Sequence, residues 1–242
     1  TSHPTQFNEF GNDIVIKNQP LRNQSKTVIC TAFNGWLFSA FAYDTNNLQR
    51  VMIMKSVDNG LTWTFFFFFL FFLNNEIIPR IDIVTTGDSV TNLKLVLGVT
   101  FFDTVYHGMG AIVAVHNGIT GTWERNLLYF ESSNHPARDV ALASDVVFSA
   151  NNSHPGSLGI LYSQNSNGKD SVILLISTNG GLSIASHRVV AVSDNTVLKV
   201  ALSYGSGGSL NEGQYFAAWS KAPGHIYTAH TDPSITSPLT IP

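Results

Sequence analysis

At 242 residues the chain is long enough to bury a sizeable core, as one large domain or two small ones. Hydrophobic residues make up 44% and charged residues only 12%, about half the ordinary charged share; Asn, Ser, Thr and Gly carry the polarity instead, which suits a β-rich exported protein better than a helical cytosolic enzyme. The net charge of −3 leaves no basic surface for nucleic acid.

In chain order, Thr1 stands where a methionine would start a nascent chain, as expected of a processed form or a fragment. A first strand is expected at 13–17. The lone cysteine, Cys30, follows in the strand-like apolar run Thr27-Val28-Ile29-Cys30, where no internal disulfide is open to it and a buried core role is expected. A strand at 36–43 and the run Met52-Ile53-Met54-Lys55 come next and lead into the octapeptide Ser56-Val57-Asp58-Asn59-Gly60-Leu61-Thr62-Trp63. Its chemistry is that of a tight hairpin. Ser56 and Asp58 can bond their own turn's backbone, Gly60 supplies a positive φ, and Trp63 opens the returning strand.

The next stretch breaks the pattern. Phe65 to Phe72 is aromatic except for Leu70, too short for a membrane-spanning helix and lacking the polar alternation of an outer strand. It reads as a membrane- or partner-facing patch, as a strand buried under another domain, or as an unreliable stretch of sequence. No functional expectation rests on it.

Beyond it the same order of elements returns. Strands are expected at 80–84, 93–102 and 112–115, then a turn at 116–123 ending in Trp123, then a strand at 125–130. A third unit has strands at 139–143, 157–162 and 172–176, a turn at 177–184 and a strand at 187–192. A fourth has strands at 198–203, 214–220 and 226–229, with a turn at 230–236. Ser56 and Ser177 lie 121 residues apart, two periods of about 60. No helical periodicity of useful length interrupts the series.

The motif Ser-x-Asp-x-Gly-x-Thr-Trp at 56–63 resembles the Asp box, the hairpin signature of sialidase-like β-propellers. Ser56, Asp58, Gly60, Thr62 and Trp63 carry the resemblance as structural turn residues. The second turn lacks the acid, the third has Asn179 in its place, and Pro233 disturbs the fourth. The resemblance implies an all-β fold, a β-propeller of four-stranded antiparallel blades spanning approximately 12–73, 74–132, 133–192 and 193–242. Four blades is the lower limit for a closed ring, so part of a larger propeller, associated with further blades or domains, is also expected.

Sialidases grip a carboxylate with three arginines and use a Tyr–Glu pair and an acid Asp. This chain offers Pro79-Arg80-Ile81-Asp82, in which the order of the family's Arg-Ile-Pro motif is altered, and no convincing Tyr–Glu pair. Asp82 and Asp139 occupy equivalent inner-strand positions and are the candidate catalytic carboxylates, although rim aspartates more often cap turns. Arg80, Arg138 and Lys199 are the candidate ligand-binding residues. The eight histidines form no zinc pattern, calcium loops and a nucleophile elbow are missing, and no metal or cofactor is expected. The function expected is a non-catalytic, exported or cell-surface module that binds glycan or protein partners, with no transmembrane segment. Its rivals are a sialidase-like glycoside hydrolase completed by residues outside this chain, and a structural subunit of a surface or secretion assembly.

Overall fold

The computed structural model describes residues 16, 24–45, 48–69, 76–87, 91–103, 108–130, 137–145, 156–206 and 213–231. Every regular element among them is a β-strand, and the strands form four antiparallel sheets arranged as the blades of a β-propeller. The first sheet is the meander β1 (Gln24–Thr31), β2 (Leu37–Thr45), β3 (Leu48–Ser56) and β4 (Thr64–Phe69). The second is β5 (Glu76–Thr86), β6 (Lys94–Asp103), β7 (Gly108–Asn117) and β8 (Trp123–Phe130). The third is β9 (Ala137–Ser144), β10 (Leu158–Ser166), β11 (Lys169–Ser177) and β12 (Ser186–Ser193). The fourth has three described strands, β13 (Val197–Ser206), β14 (Gly213–Lys221) and β15 (His225–His230).

One expected element is displaced. The innermost strand of the first sheet is β1, not 13–17, and of that expected stretch only Ile16 is among the described residues. The physical reason is local. Val28 and Cys30 turn toward the second sheet's core, and a short turn through Asn34 and Gly35 (φ 80°) returns the chain directly into β2. Asn34 Oδ1 accepts the Trp36 N–H at 3.2 Å and holds that turn.

The core is divided among the gaps between sheets. Phe38, Ala40, Val51 and Ile53 of the first sheet meet Ile81, Ile83, Leu95 and Leu97 of the second. Val96, Val113 and Val115 meet Val140, Leu142, Leu158 and Ile160 of the third, and Leu161, Val172 and Leu174 meet Val200, Tyr215, Ala217 and Trp219 of the fourth. Adjacent residues such as Ile160 and Leu161 thus serve opposite gaps. That is why the middle strands read as continuous apolar runs: both faces are covered.

The described part of the phenylalanine run is the outer strand β4, while 70–73 lie outside the described residues. A bulge explains how so many aromatics are accommodated. Ile53 pairs with Phe67 and Met54 with Phe65, so Phe66 is the extra residue. Phe66 and Phe67 both pack on the core shared with the second sheet, Phe66 edge-on to Phe38 at 5.2 Å and Phe67 against the His116 ring at 4.5 Å. Phe68 turns to the opposite face beside Tyr43.

Gly159 lets the third and fourth sheets approach closely, because a Cβ there would lie 2.4 Å from Tyr215 Cε1 and 2.9 Å from Leu202 Cδ2. Gly159→Val is expected to destabilise the fold by about 1–3 kcal/mol through overpacking. Urea unfolding checks this; an unchanged midpoint would mean the two sheets do not meet at this point.

Candidate functional site

Within each meander the hairpin joining the third strand to the fourth lies at the end where the inner strand finishes. The inner strand starts at the opposite rim, beside the hairpin joining the second strand to the third. The hairpins at 56–63, 116–123 and 177–184 therefore share one rim, and the beginnings of β9 and β13 face the other. Of the turn expected at 230–236, only His230 and Thr231 are among the described residues.

On the hairpin rim Ser56 Oγ donates to Asp58 Oδ1 at 2.8 Å and accepts the Gly60 N–H at 2.8 Å. Asp58 accepts from the Thr62 N–H at 2.9 Å and the Thr62 hydroxyl at 2.5 Å, and Trp63 Nε1 donates to the Gly60 carbonyl at 3.0 Å. The Thr62 bonds, then the Ser56 hydroxyl, hold the Asp58 carboxyl down to about 2. Asn179 reproduces the arrangement in the third sheet: its Oδ1 accepts from Ser177 Oγ and from the Ser183 N–H, both at 2.9 Å, and Ser177 Oγ accepts the Gly181 N–H. An amide thus does the acid's work: its oxygen supplies the acceptor, and its Nδ2 donates to Ser183 Oγ where the Asp58 carboxylate accepts from the Thr62 hydroxyl. The second turn is built otherwise, on Asn117 Oδ1 accepting the Ile119 and Thr120 N–H groups.

The inner strands carry the candidate ligand-binding and catalytic residues. Asp82 on β5 reaches across to the third sheet, where Oδ2 accepts the Leu142 N–H at 2.8 Å, while Oδ1 accepts the Ile83 N–H at 2.9 Å. Asp139 on β9 repeats the move one blade on, its Oδ2 accepting the Val200 N–H at 2.8 Å. Both aspartates are therefore ties between blades. Burial pushes the Asp82 carboxyl up, opposed by the Leu142 and Ile83 N–H bonds. Burial pushes Asp139 up as well, opposed by the Val200 N–H and the charges of Arg80 and Lys199.

Three inner strands converge on Asp139. Arg80 Nε of β5 lies 3.7 Å and Lys199 Nζ of β13 lies 4.0 Å from its Oδ1, both beyond hydrogen-bond reach. Asp139 is 0% exposed and that oxygen has no hydrogen-bond donor among the described residues, whereas the Arg80 and Lys199 side chains are 31% and 61% exposed. Arg138 is set apart from this group and pairs with Asp170 at 2.9 Å. Asp170 itself accepts the Val197 N–H at 2.7 Å and the Asn165 amide at 2.5 Å, adding a second carboxylate tie to the fourth sheet. Nothing in the sequence around Asp170 announced that role beyond its place in a turn-forming stretch.

Two titratable side chains, Cys30 and His116, pack against the core of the first two sheets. Burial, then the Asp82 charge, raises the Cys30 thiol well above its ordinary range, which leaves it protonated and unreactive. Burial lowers His116 to about 4. Among the described residues no cluster of three His, Cys, Asp or Glu could hold a metal ion, and no helix is long and apolar enough to cross a membrane.

No family model and no curated protein matches the chain. Solved structures share its fold. An α-L-arabinanase from Penicillium chrysogenum, complexed with arabinobiose, aligns with a TM-score of 0.57 at 13% identity, over 89% of this chain and 66% of that one. An α-L-arabinofuranosidase from Fusarium graminearum, bound to an iminosugar inhibitor, aligns with a TM-score of 0.54 at 12% identity over the same shares. Both are β-propeller glycoside hydrolases, and the chain is a β-propeller spanning about two thirds of their length.

The ties predict a graded response at Asp82. Asp82→Ala leaves the Leu142 and Ile83 N–H groups without that acceptor and is expected to cost about 1–3 kcal/mol, whereas Asp82→Asn keeps an acceptor oxygen and costs less. Equal losses in urea unfolding would show that the hydrogen bonds are not what Asp82 contributes. A pH effect follows from His116. Its folded pKa of about 4 lies below the unfolded value near 6.5. The unfolded chain therefore binds the extra proton, and stability present above pH 6.5 is lost as pH falls toward 4, by roughly 3 kcal/mol. His116→Gln is expected to flatten this part of the stability profile; a profile parallel to the wild type would reject the assignment.

Proposed function

We propose that the chain is an exported glycan-binding propeller module of the Asp-box type that does not itself hydrolyse its ligand. The observation carrying this reading is the division of labour on the inner strands. Of the candidate catalytic carboxylates, Asp82 is committed to the N–H groups of Leu142 in the next blade and Ile83 in its own, and Asp139 gives one oxygen to the Val200 N–H while its side chain is fully buried. A retaining glycosidase needs two such groups free and about 5–5.5 Å apart across the bond to be cleaved. Arg80 and Lys199, by contrast, stand partly exposed where the inner strands converge, with hydrogen-bond donors that Asp139 does not reach. Sugar hydroxyls and carboxylates accept from such donors. Arg138, already paired with Asp170, is proposed to border the ligand. Polar, charge-poor composition supports an extracellular or cell-surface setting.

A second reading is favoured by the fold neighbours, which are glycoside hydrolases. In it, the rest of the catalytic set lies outside these 242 residues. The two readings separate on turnover. Each tenfold in rate requires about 1.4 kcal/mol of barrier lowering, so even a weak hydrolase would give measurable product. The purified chain is expected to bind oligosaccharides on a glycan array, to lose that binding at least tenfold on Arg80→Met with Lys199→Met, and to release no sugar from fluorogenic sialosides or arabinofuranosides. Turnover abolished by Asp139→Asn in a folded variant would overturn the module reading in favour of the hydrolase.

A further inference from the structure

The chain contains five Asn-Gly dipeptides, at 34–35, 59–60, 117–118, 167–168 and 179–180, and all five lie at turns. In this dipeptide the asparagine side-chain carbonyl is open to attack by the backbone nitrogen of the next residue, because glycine places no Cβ in the way. In four of the five the fold holds that nitrogen. The Gly35 N–H donates to the Ala32 carbonyl at 2.9 Å, Gly118 to Leu93 at 2.8 Å, Gly180 to Gly156 at 2.7 Å and Gly60 to Ser56 Oγ at 2.8 Å. A donor so engaged keeps its proton, and its peptide plane is fixed. The carbonyl side is held as well in three of them: Oδ1 of Asn34, Asn117 and Asn179 each accepts a backbone N–H of its own turn.

Asn167-Gly168 is built differently. It is the two-residue loop of the β10–β11 hairpin, closed by Ser166 opposite Lys169, with φ of 53° and 79° at its two positions. The ladder uses the flanking residues, and neither the Gly168 N–H nor the Asn167 amide has a hydrogen-bond partner among the described residues. Both residues are exposed, and a Cβ at Gly168 would meet nothing within 4 Å, so the two reacting groups have room to turn toward each other.

We infer that Asn167 is the position at which this fold undergoes spontaneous deamidation, and that its isoaspartyl product loosens the carboxylate tie beside it. The Gly168 nitrogen bonds to Asn167 Cγ and gives up its proton, and the side-chain nitrogen leaves with it as ammonia. Water then opens the resulting succinimide at one of its two carbonyls. Opening at the side-chain carbonyl gives aspartate; opening at the main-chain carbonyl leaves the peptide bond running through Cγ, which adds one carbon to the backbone. Two residues then no longer close the loop in register, and the first pairs to shift are Ser166–Lys169 and Asn165–Asp170. Asp170 accepts the Asn165 amide and the Val197 N–H and pairs with Arg138, so the shift reaches the tie between the third and fourth sheets. No ligand is needed for this chemistry, and it stands apart from glycan binding.

The full chain is aged in warm, mildly alkaline buffer, folded and in urea, and the five sites are followed by peptide mapping with fragmentation that separates aspartate from isoaspartate. In the folded chain Asn167 is expected to convert at least about tenfold faster than each of the other four, while in urea the five rates draw together because the dipeptide is the same. A folded-state rate at any of the other four that matches Asn167 would overturn the inference. So would a urea ranking that already singles out Asn167, since sequence and not fold would then be selecting. For the tie, amide exchange at Val197 followed by nuclear magnetic resonance is expected to quicken in the converted protein. It should stay at the fresh wild-type rate in Asn167→Asp, which carries the new charge without the extra backbone carbon. Unchanged exchange in the converted protein, or equal quickening in Asn167→Asp, would reject the link to Asp170.

Discussion

The fold depends on a hydrogen bond from the backbone of one inner strand to a carboxylate of the blade before it. An inner strand has a sheet partner on one side only, so part of its backbone faces the gap between blades with no ladder to satisfy it. Asp82 accepts the Leu142 N–H, Asp139 the Val200 N–H and Asp170 the Val197 N–H. Between the first two blades a hydroxyl does the same in reverse, Thr85 donating to the Thr31 carbonyl. Burial makes these charges costly, and the bonds they accept are what keep the carboxylates in place. Arg80, Arg138 and Lys199 then gather around acids already committed to the scaffold, which is how cations with spare donors come to line one rim.

Much of this was legible in the sequence. Ser56, Asp58, Gly60 and Thr62 announce their hairpin because each residue has one physical task in it, and the 60-residue spacing carries the pattern to Ser177 and Asn179. The strings Asp139-Val140-Ala141-Leu142 and Lys199-Val200-Ala201-Leu202 place the inner strands of the third and fourth blades. What the residues do not display is direction. An aspartate in a strand looks the same whether its oxygens face a ligand or a backbone amide sixty residues away, and only the neighbouring blade decides. Thr27 to Cys30 read as strand-like in the sequence, but not as the innermost strand, for a related reason: Val28 and Cys30 face a core while Gln24 to Thr27 are exposed, so the alternation is short and half polar.

The phenylalanine strand shows the same limit from the other side. Period-two reasoning requires alternate residues to share a face, and five successive phenylalanines satisfy no such pattern. A single bulge resolves it by letting neighbours Phe66 and Phe67 share one face. Bulges leave no compositional mark here, since neither Phe66 nor the residues opposite it are glycine.

The division of the core between successive blades has a consequence for cooperativity. Apart from the cluster of Phe41, Tyr43, Met52 and Met54 on the outward face of the first sheet, the core is shared between sheets. Each interior sheet lends one face to the gap before it and the other to the gap after it, as Val96 and Leu97 do in β6. Among the described residues the shared clusters couple each sheet to its neighbours in chain order, as in a row of repeats. The rim holding Arg80 and Asp139 belongs to the two interior sheets, each packed on both faces, and Lys199 reaches it from the fourth.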